Sequence, residues 1–254
     1  MMFAQPYIRT MAKPDPTFNL SALADRLFRE KRMLPLAGKI RRARDLHSLS
    51  TDLLMALESL DALDVQLKVD TDPDDHQKLI TESALLNNAL VLYVRATKTE
   101  SQERGGFDLR PRFSTEEKAV HRELSDLRDS AIAHFGSGGS YEGEWQAELV
   151  ILQFSGEDAK PGVVTRRQTV DRNLVRRARS QVEVALALMR GIYHERLNEI
   201  TEEINAAVVA DAEFYKEISV HPLNLELFMK SEVAADSARA AFETGYAKGS
   251  VSHR

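Results

Sequence analysis

The sequence predicts an all-α fold interrupted by one β-hairpin. Three observations carry this. Leucines recur in steps of three and four through long stretches without proline or glycine. The 254 residues contain only 12 Gly and 8 Pro, too few for a turn-rich β fold. The apolar period changes character only once, between about residues 147 and 170.

The elements follow in order. Residues 1–17 carry Pro6, Pro14 and Pro16 and no periodicity, so they are expected to form a flexible arm. Leu20, Leu23, Leu27 and Phe28 place a first helix that runs to about Met33, with Pro35 and Gly38 as its stop. Leu46, Leu49, Leu53, Leu57, Leu60 and Leu63 place a second over roughly 39–68. Asp75 is a fitting N-cap for a third over about 76–99. Ser114 and Glu117 have the spacing of a capping box, so a fourth helix is expected from Thr115 to about Phe135, ended by the glycine-rich segment 136–140. Ala147–Phe154 and Val163–Val170 read as two strands around a Gly/Pro turn at 156–162. A long helical segment is expected from Asp171 to about Ser219, and Pro222 fits the first turn of a last helix over about 222–247. The expected division is an arm (1–17), a helical domain with the hairpin (18–219), and a C-terminal helical extension (220–254).

Composition restricts the chemistry. With 39 acids and 34 bases the net charge is -5, so any nucleic-acid contact must come from a local patch. Zero cysteines remove disulfides, thiol catalysis and Cys-ligated metals, and fit a cytoplasmic location. The first 18 residues lack the apolar core of a signal peptide. No apolar run is longer than Ala89–Val94, which is far short of the ~20 residues that span a bilayer, so no membrane role is expected.

The segment HRELSDLRDSAIAHFG, residues 121–136, carries the most chemistry. On a helical projection Val120, Leu124, Leu127, Ala131 and Phe135 form the packing stripe. His134 lies at its margin, Arg128 on its border and Asp129 on the far side. Arg128 and His134 are six residues apart, which is not a neighbouring spacing on one helix. They meet only if the helix end distorts near Gly136 or if two copies meet on a two-fold axis. A histidine at a helix C-terminus also has a purely structural use as a dipole cap.

Arg128, the polar Asp129 and then His134, in the wording Leu127-Arg128-Asp129 … Ile132-Ala133-His134, resemble the motif of the HEPN superfamily as it occurs in small bacterial members. The preceding Leu92-Tyr93-Val94-Arg95-Ala96 resembles the companion helix. The likeness covers about residues 76–136. It implies an HEPN-like antiparallel helical bundle, a homodimer with the motif at its interface, and no metal or other cofactor. It also implies a metal-independent endoribonuclease, a toxin or phage-defence effector attacking RNA through the 2′-OH. An antitoxin such as a minimal nucleotidyltransferase would then be a partner. By that resemblance His134 is the general acid/base, Arg128 stabilises the scissile phosphate and Asp129 orients one of them. Other members keep the fold as non-catalytic RNA- or protein-binding modules, and that alternative stays open, as does an unrelated bundle in which both residues are structural.

The chemistry of the residue types agrees with these roles. Histidine titrates nearest neutrality, guanidinium matches phosphate oxygens, and RNA supplies its own nucleophile. Arg95 and His121 are further substrate-binding candidates, although a surface position at a helix end and solvent exposure are the plainer expectations for them. Arg166, Arg167, Arg172 and Arg176 belong to a run, 166–179, with six arginines against Asp171 alone. Such a patch suits a phosphate backbone, and it equally suits a helix face that pairs with acids elsewhere. No aromatic residue interleaves it, so base stacking there is not expected.

Other motifs fail. Asp70, Asp72 and Asp74 open like a calcium loop, but the required Gly and final Glu are Asp75 and Thr81. His194-Glu195 lacks the second histidine of a zinc pair, Asn198 standing in its place.

Overall fold

A computed structural model describes residues 17–69, 76–98, 104–129, 146–155, 158–167 and 170–243. It is mostly helical with one small antiparallel sheet. The helices are α1 (Leu20–Arg29), α2 (Leu34–Gln66), α3 (His76–Thr97), α4 (Thr115–Leu127), α5 (Arg172–Ala210), α6 (Ala212–Ser219), α7 (Leu225–Met229) and α8 (Glu232–Glu243). A 3-10 turn, Arg110–Arg112, precedes α4. The strands are β1 (Gln146–Ser155) and β2 (Asp158–Arg167). Residues 1–16 of the expected arm (1–17), Asp75, the 136–140 segment and His134 lie outside the described residues.

The chain divides into two units, residues 1–41 with 200–254, and residues 42–199. In the second, Leu46, Leu49, Leu53, Leu60 and Leu63 of α2 are fully buried, as their spacing predicts. They join Leu86, Leu90 and Tyr93 of α3, Leu124 and Leu127 of α4, and Val182, Leu186 and Met189 of α5 in one core. Truncating any one of these leucines to alanine costs about 2–5 kcal/mol, the lost transfer energy plus the cavity left behind. In the first unit Leu23 and Leu27 of α1 are buried, as are Leu36 and Ile40 from the start of α2, Phe214 and Ile218 of α6, and Leu225 of α7. Phe18 bridges Pro222, and the amide of Asn19 donates to the carbonyl of His221 at 2.8 Å.

Four boundaries differ from the sequence-based expectation. The α1–α2 break falls at Lys31–Met33, where Lys31 and Met33 take left-handed backbone angles. Pro35 sits inside the first turn of α2, where its missing N–H would have had no helical partner. The long C-terminal helix is broken at Asp211, which adopts extended backbone and accepts from the amide of Glu213, capping α6. Pro222 does not start a helix. It lies in the bridge to Phe18, and the last expected helix is two, separated at Lys230 with φ 53°. β2 begins at Asp158, so 158–162 is strand rather than turn, with Pro161 opposite Leu152 and Gly162 opposite Ile151. A two-stranded sheet consists only of edges, and an edge tolerates a proline whose nitrogen faces away from its partner.

Candidate functional site

The capping box of α4 forms as expected. The amide of Glu117 donates to Ser114 Oγ at 3.2 Å, and the amide of Ser114 donates to Glu117 Oε2 at 2.7 Å. This fixes where the helix starts and so which residues share a face. Leu124 and Leu127 are buried, and His121 is buried beside them rather than exposed. The reason for that difference is a polar partner across the interface. Tyr93 of α3 is completely buried and its hydroxyl lies 2.8 Å from His121 Nδ1. Burial pushes the Tyr93 phenol well above its ordinary range, so it stays protonated. The direction of the bond follows the tautomer of His121. Its pKa is lowered, first by burial and then by the nearby charges of Arg110 and Lys98, which outweigh Asp108.

His121 lines a cleft of about 530 Å³ formed by the end of α3, the connector before α4, and the outer face of α4. Four cations, Lys98, Arg110, Lys118 and Arg122, face two acids, Asp108 and Asp126, with Phe107 as the aromatic wall. Arg110 is paired with Asp108, whose carboxyl is held low chiefly by that hydrogen bond. Lys118 and Arg122 make no ion pair among the described residues. They are four residues apart on one helix, a like-charge spacing that disfavours the free helix and suits an anion between them. Ser125 adds a buried hydroxyl on the cleft wall with no hydrogen-bond partner among the described residues. A mid-helix serine ordinarily bonds back to the carbonyl one turn before.

The motif residues sit at the C-terminal end of the same helix. Arg128 is its C-cap, half-buried, with Nη1 donating to Asp129 Oδ1 at 2.9 Å and Nε buried without a partner among the described residues. Asp129 is also held by Lys98, Nζ to Oδ2 at 2.6 Å. Burial alone would raise its pKa, but the hydrogen bonds and charges of Lys98 and Arg128 override this and hold the carboxyl below its ordinary value. Lys98 thus belongs both to the cleft and to the Arg128–Asp129 cluster.

The remaining candidates are placed elsewhere. Arg95 does not line the cleft. Its Nε and Nη2 clamp both oxygens of Asp52 at 2.9 and 2.5 Å, and Arg104 adds a third bond to the same buried carboxylate at 2.7 Å. Arg166 and Arg167 fall opposite Ala147 and Gln146 in the hairpin. Arg172 donates to the carbonyl of Leu67 just beyond α2, and among the described residues Arg176 makes a 3.4 Å bond to Asn173. Within the same run Arg177 pairs with Glu123, and Arg179 with Asp61, Asp64 and Glu183. Much of this positive run therefore ties α5 to α2 and α4.

The sequence reading passed over Lys98, Arg110, Lys118, Arg122 and Ser125. The Lys118/Arg122 spacing was the legible signal. The cleft itself depends on how the connector folds back.

No family model matches the chain, and no curated protein or solved structure matches it either.

Proposed function

We propose that the protein binds RNA in the α4 cleft and cleaves it without a metal, as an endoribonuclease of HEPN type acting in a toxin or defence role. One observation carries the reading. Asp129 joins Arg128 to Lys98, and Lys98 lines the cationic cleft, so the Arg–Asp pair of the motif adjoins a groove suited to phosphates. In this reading the scissile phosphate lies against Arg128, whose remaining amino hydrogens meet its oxygens. Asp129 holds the guanidinium in place. His134 takes the proton from the 2′-OH, the 2′-oxygen attacks phosphorus, and the P–O5′ bond breaks as the 5′-oxygen takes a proton from water, giving a 2′,3′-cyclic phosphate and a 5′-hydroxyl. The two motif copies of a homodimer would share the work. The cations of the cleft by themselves favour a second reading, an RNA-binding module that does not cut.

The test is single-stranded RNA incubated with the full chain in EDTA, against His134→Ala and Arg128→Ala. The reading expects each substitution to slow cleavage about 100-fold or more, the usual contribution of an acid/base group. Binding without cleavage by the wild type selects the second reading. Neither binding nor cleavage removes both.

A further inference from the structure

The β1–β2 hairpin carries an unusual surface. Every residue from Leu149 to Phe154 and from Ala159 to Val164 is exposed, including Val150 at 84% and Phe154 at 71%. A two-stranded hairpin is marginal alone and ordinarily needs a third strand or a packing partner. We infer that β1 pairs antiparallel with β1 of a second copy of this chain, making a four-stranded sheet across a two-fold axis.

Four features of the hairpin point to this occupant. First, the two edges differ. β2 carries Lys160, Pro161 and Gly162, whereas β1 has no proline, glycine or lysine along its ten residues. Lysine and proline are what edge strands use to refuse a neighbour. Second, a proline within a ladder has its nitrogen facing away from its partner strand. Pro161 is opposite Leu152, so Leu152 too points its backbone N–H and C=O outward, and with it the alternate residues Glu148, Val150 and Phe154. β1 thus offers an unbroken row of donors and acceptors. Third, the apolar centre of the strand can meet itself. A two-fold through Val150 sets Val150 against itself and Leu149 against Ile151 of the second copy, and one through Ile151 sets Ile151 against itself and Val150 against Leu152 of the second copy. Fourth, the assembly closes. Once the β1 edges meet, both outer edges are β2, each interrupted by Pro161, so the sheet stops at two copies instead of growing into a fibre.

Directly opposed residues of an antiparallel pair share a face, so the two-fold passes through a residue, Val150 or Ile151, and not between them. This pairing uses neither Arg128 nor His134 and stands whether or not the protein cuts RNA.

Sedimentation of the full chain gives the first test, with a dimer at low micromolar concentration expected. Leu152→Pro removes one outward N–H, as Pro161 does on β2, and should raise the dimer Kd at least tenfold. The chain has no cysteine, so single-cysteine variants give a second readout that does not depend on a proline being tolerated. Oxidation should cross-link Val150→Cys or Ile151→Cys to itself, because opposed residues lie within disulfide reach, while Val163→Cys on β2 forms no cross-link. A monomer at these concentrations, a dimer indifferent to Leu152→Pro, or cross-linking from β2 as readily as from β1 would overturn the inference.

Discussion

Tyr93 places its hydroxyl 2.8 Å from Nδ1 of His121, joining α3 to α4 through one buried bond behind the cleft. Removing the hydroxyl takes this partner from Nδ1. Tyr93→Phe should therefore cost about 1–3 kcal/mol, the penalty of an unsatisfied buried group, read as a lower midpoint in urea unfolding.

The same pair makes stability depend on pH. The pKa of His121 is lowered in the fold, by burial first. A histidine so placed contributes fully above its unfolded pKa, near 6.5, and the contribution is lost as pH falls through the folded value. His47, also lowered by burial, adds to the trend in the same direction. Thermal unfolding should show the midpoint dropping as pH is taken from 7.5 to 5, and His121→Gln should flatten that drop. An equally steep profile in the variant would show that His121 is not responsible.

Asp52 is a buried carboxylate shared by Arg95 and Arg104. Asp52→Ala removes the carboxylate that both guanidinium groups bind and should destabilise by about 2–3 kcal/mol. Arg95→Ala should cost less, because Arg95 is half-exposed and Arg104 still pairs the carboxylate. Arg95→Lys cannot restore the two-pronged clamp. RNA affinity, measured on the folded variants, should stay within about twofold of wild type, since Arg95 lies off the cleft.

Lys118 and Arg122 line the cleft and are free of ion pairs among the described residues. The double variant Lys118→Gln/Arg122→Gln should fold normally and bind single-stranded RNA at least tenfold more weakly. The slope of log affinity against log salt should fall by about 1.4, from roughly 0.7 per lost phosphate contact. An unchanged slope would place RNA elsewhere on the protein.

The helices were legible because burial imposes a period, and Leu46 through Leu63 declare it. The capping box at Ser114 and Glu117 was legible because both partners lie within one turn. The break at Asp211 was hidden, since an aspartate on an apolar stripe looks like a tolerated neighbour until its side chain caps the next helix. Pro161 looked like a turn residue because an edge strand is the one strand that accepts proline. His121 appeared exposed because its polarity is legible locally, whereas its partner Tyr93 is 28 residues away. The arginine run of 166–179 looked like a nucleic-acid patch, because Glu123, Asp61 and Asp64, which pair with part of it, are distant in sequence. Arg128 and Asp129 were singled out from the sequence, while Lys98, which joins them to the cleft, was not.

The proposed chemistry turns on the 2′-hydroxyl of RNA as nucleophile. A single-stranded RNA oligonucleotide and the same oligonucleotide with one 2′-deoxy residue at the mapped cut, each incubated with the full chain in EDTA, test this most directly. A 2′,3′-cyclic phosphate end is expected from the first and no cut at the modified position in the second, with both reactions silent in His134→Ala. Cleavage at the deoxy position, or cleavage that survives His134→Ala unchanged, would contradict it.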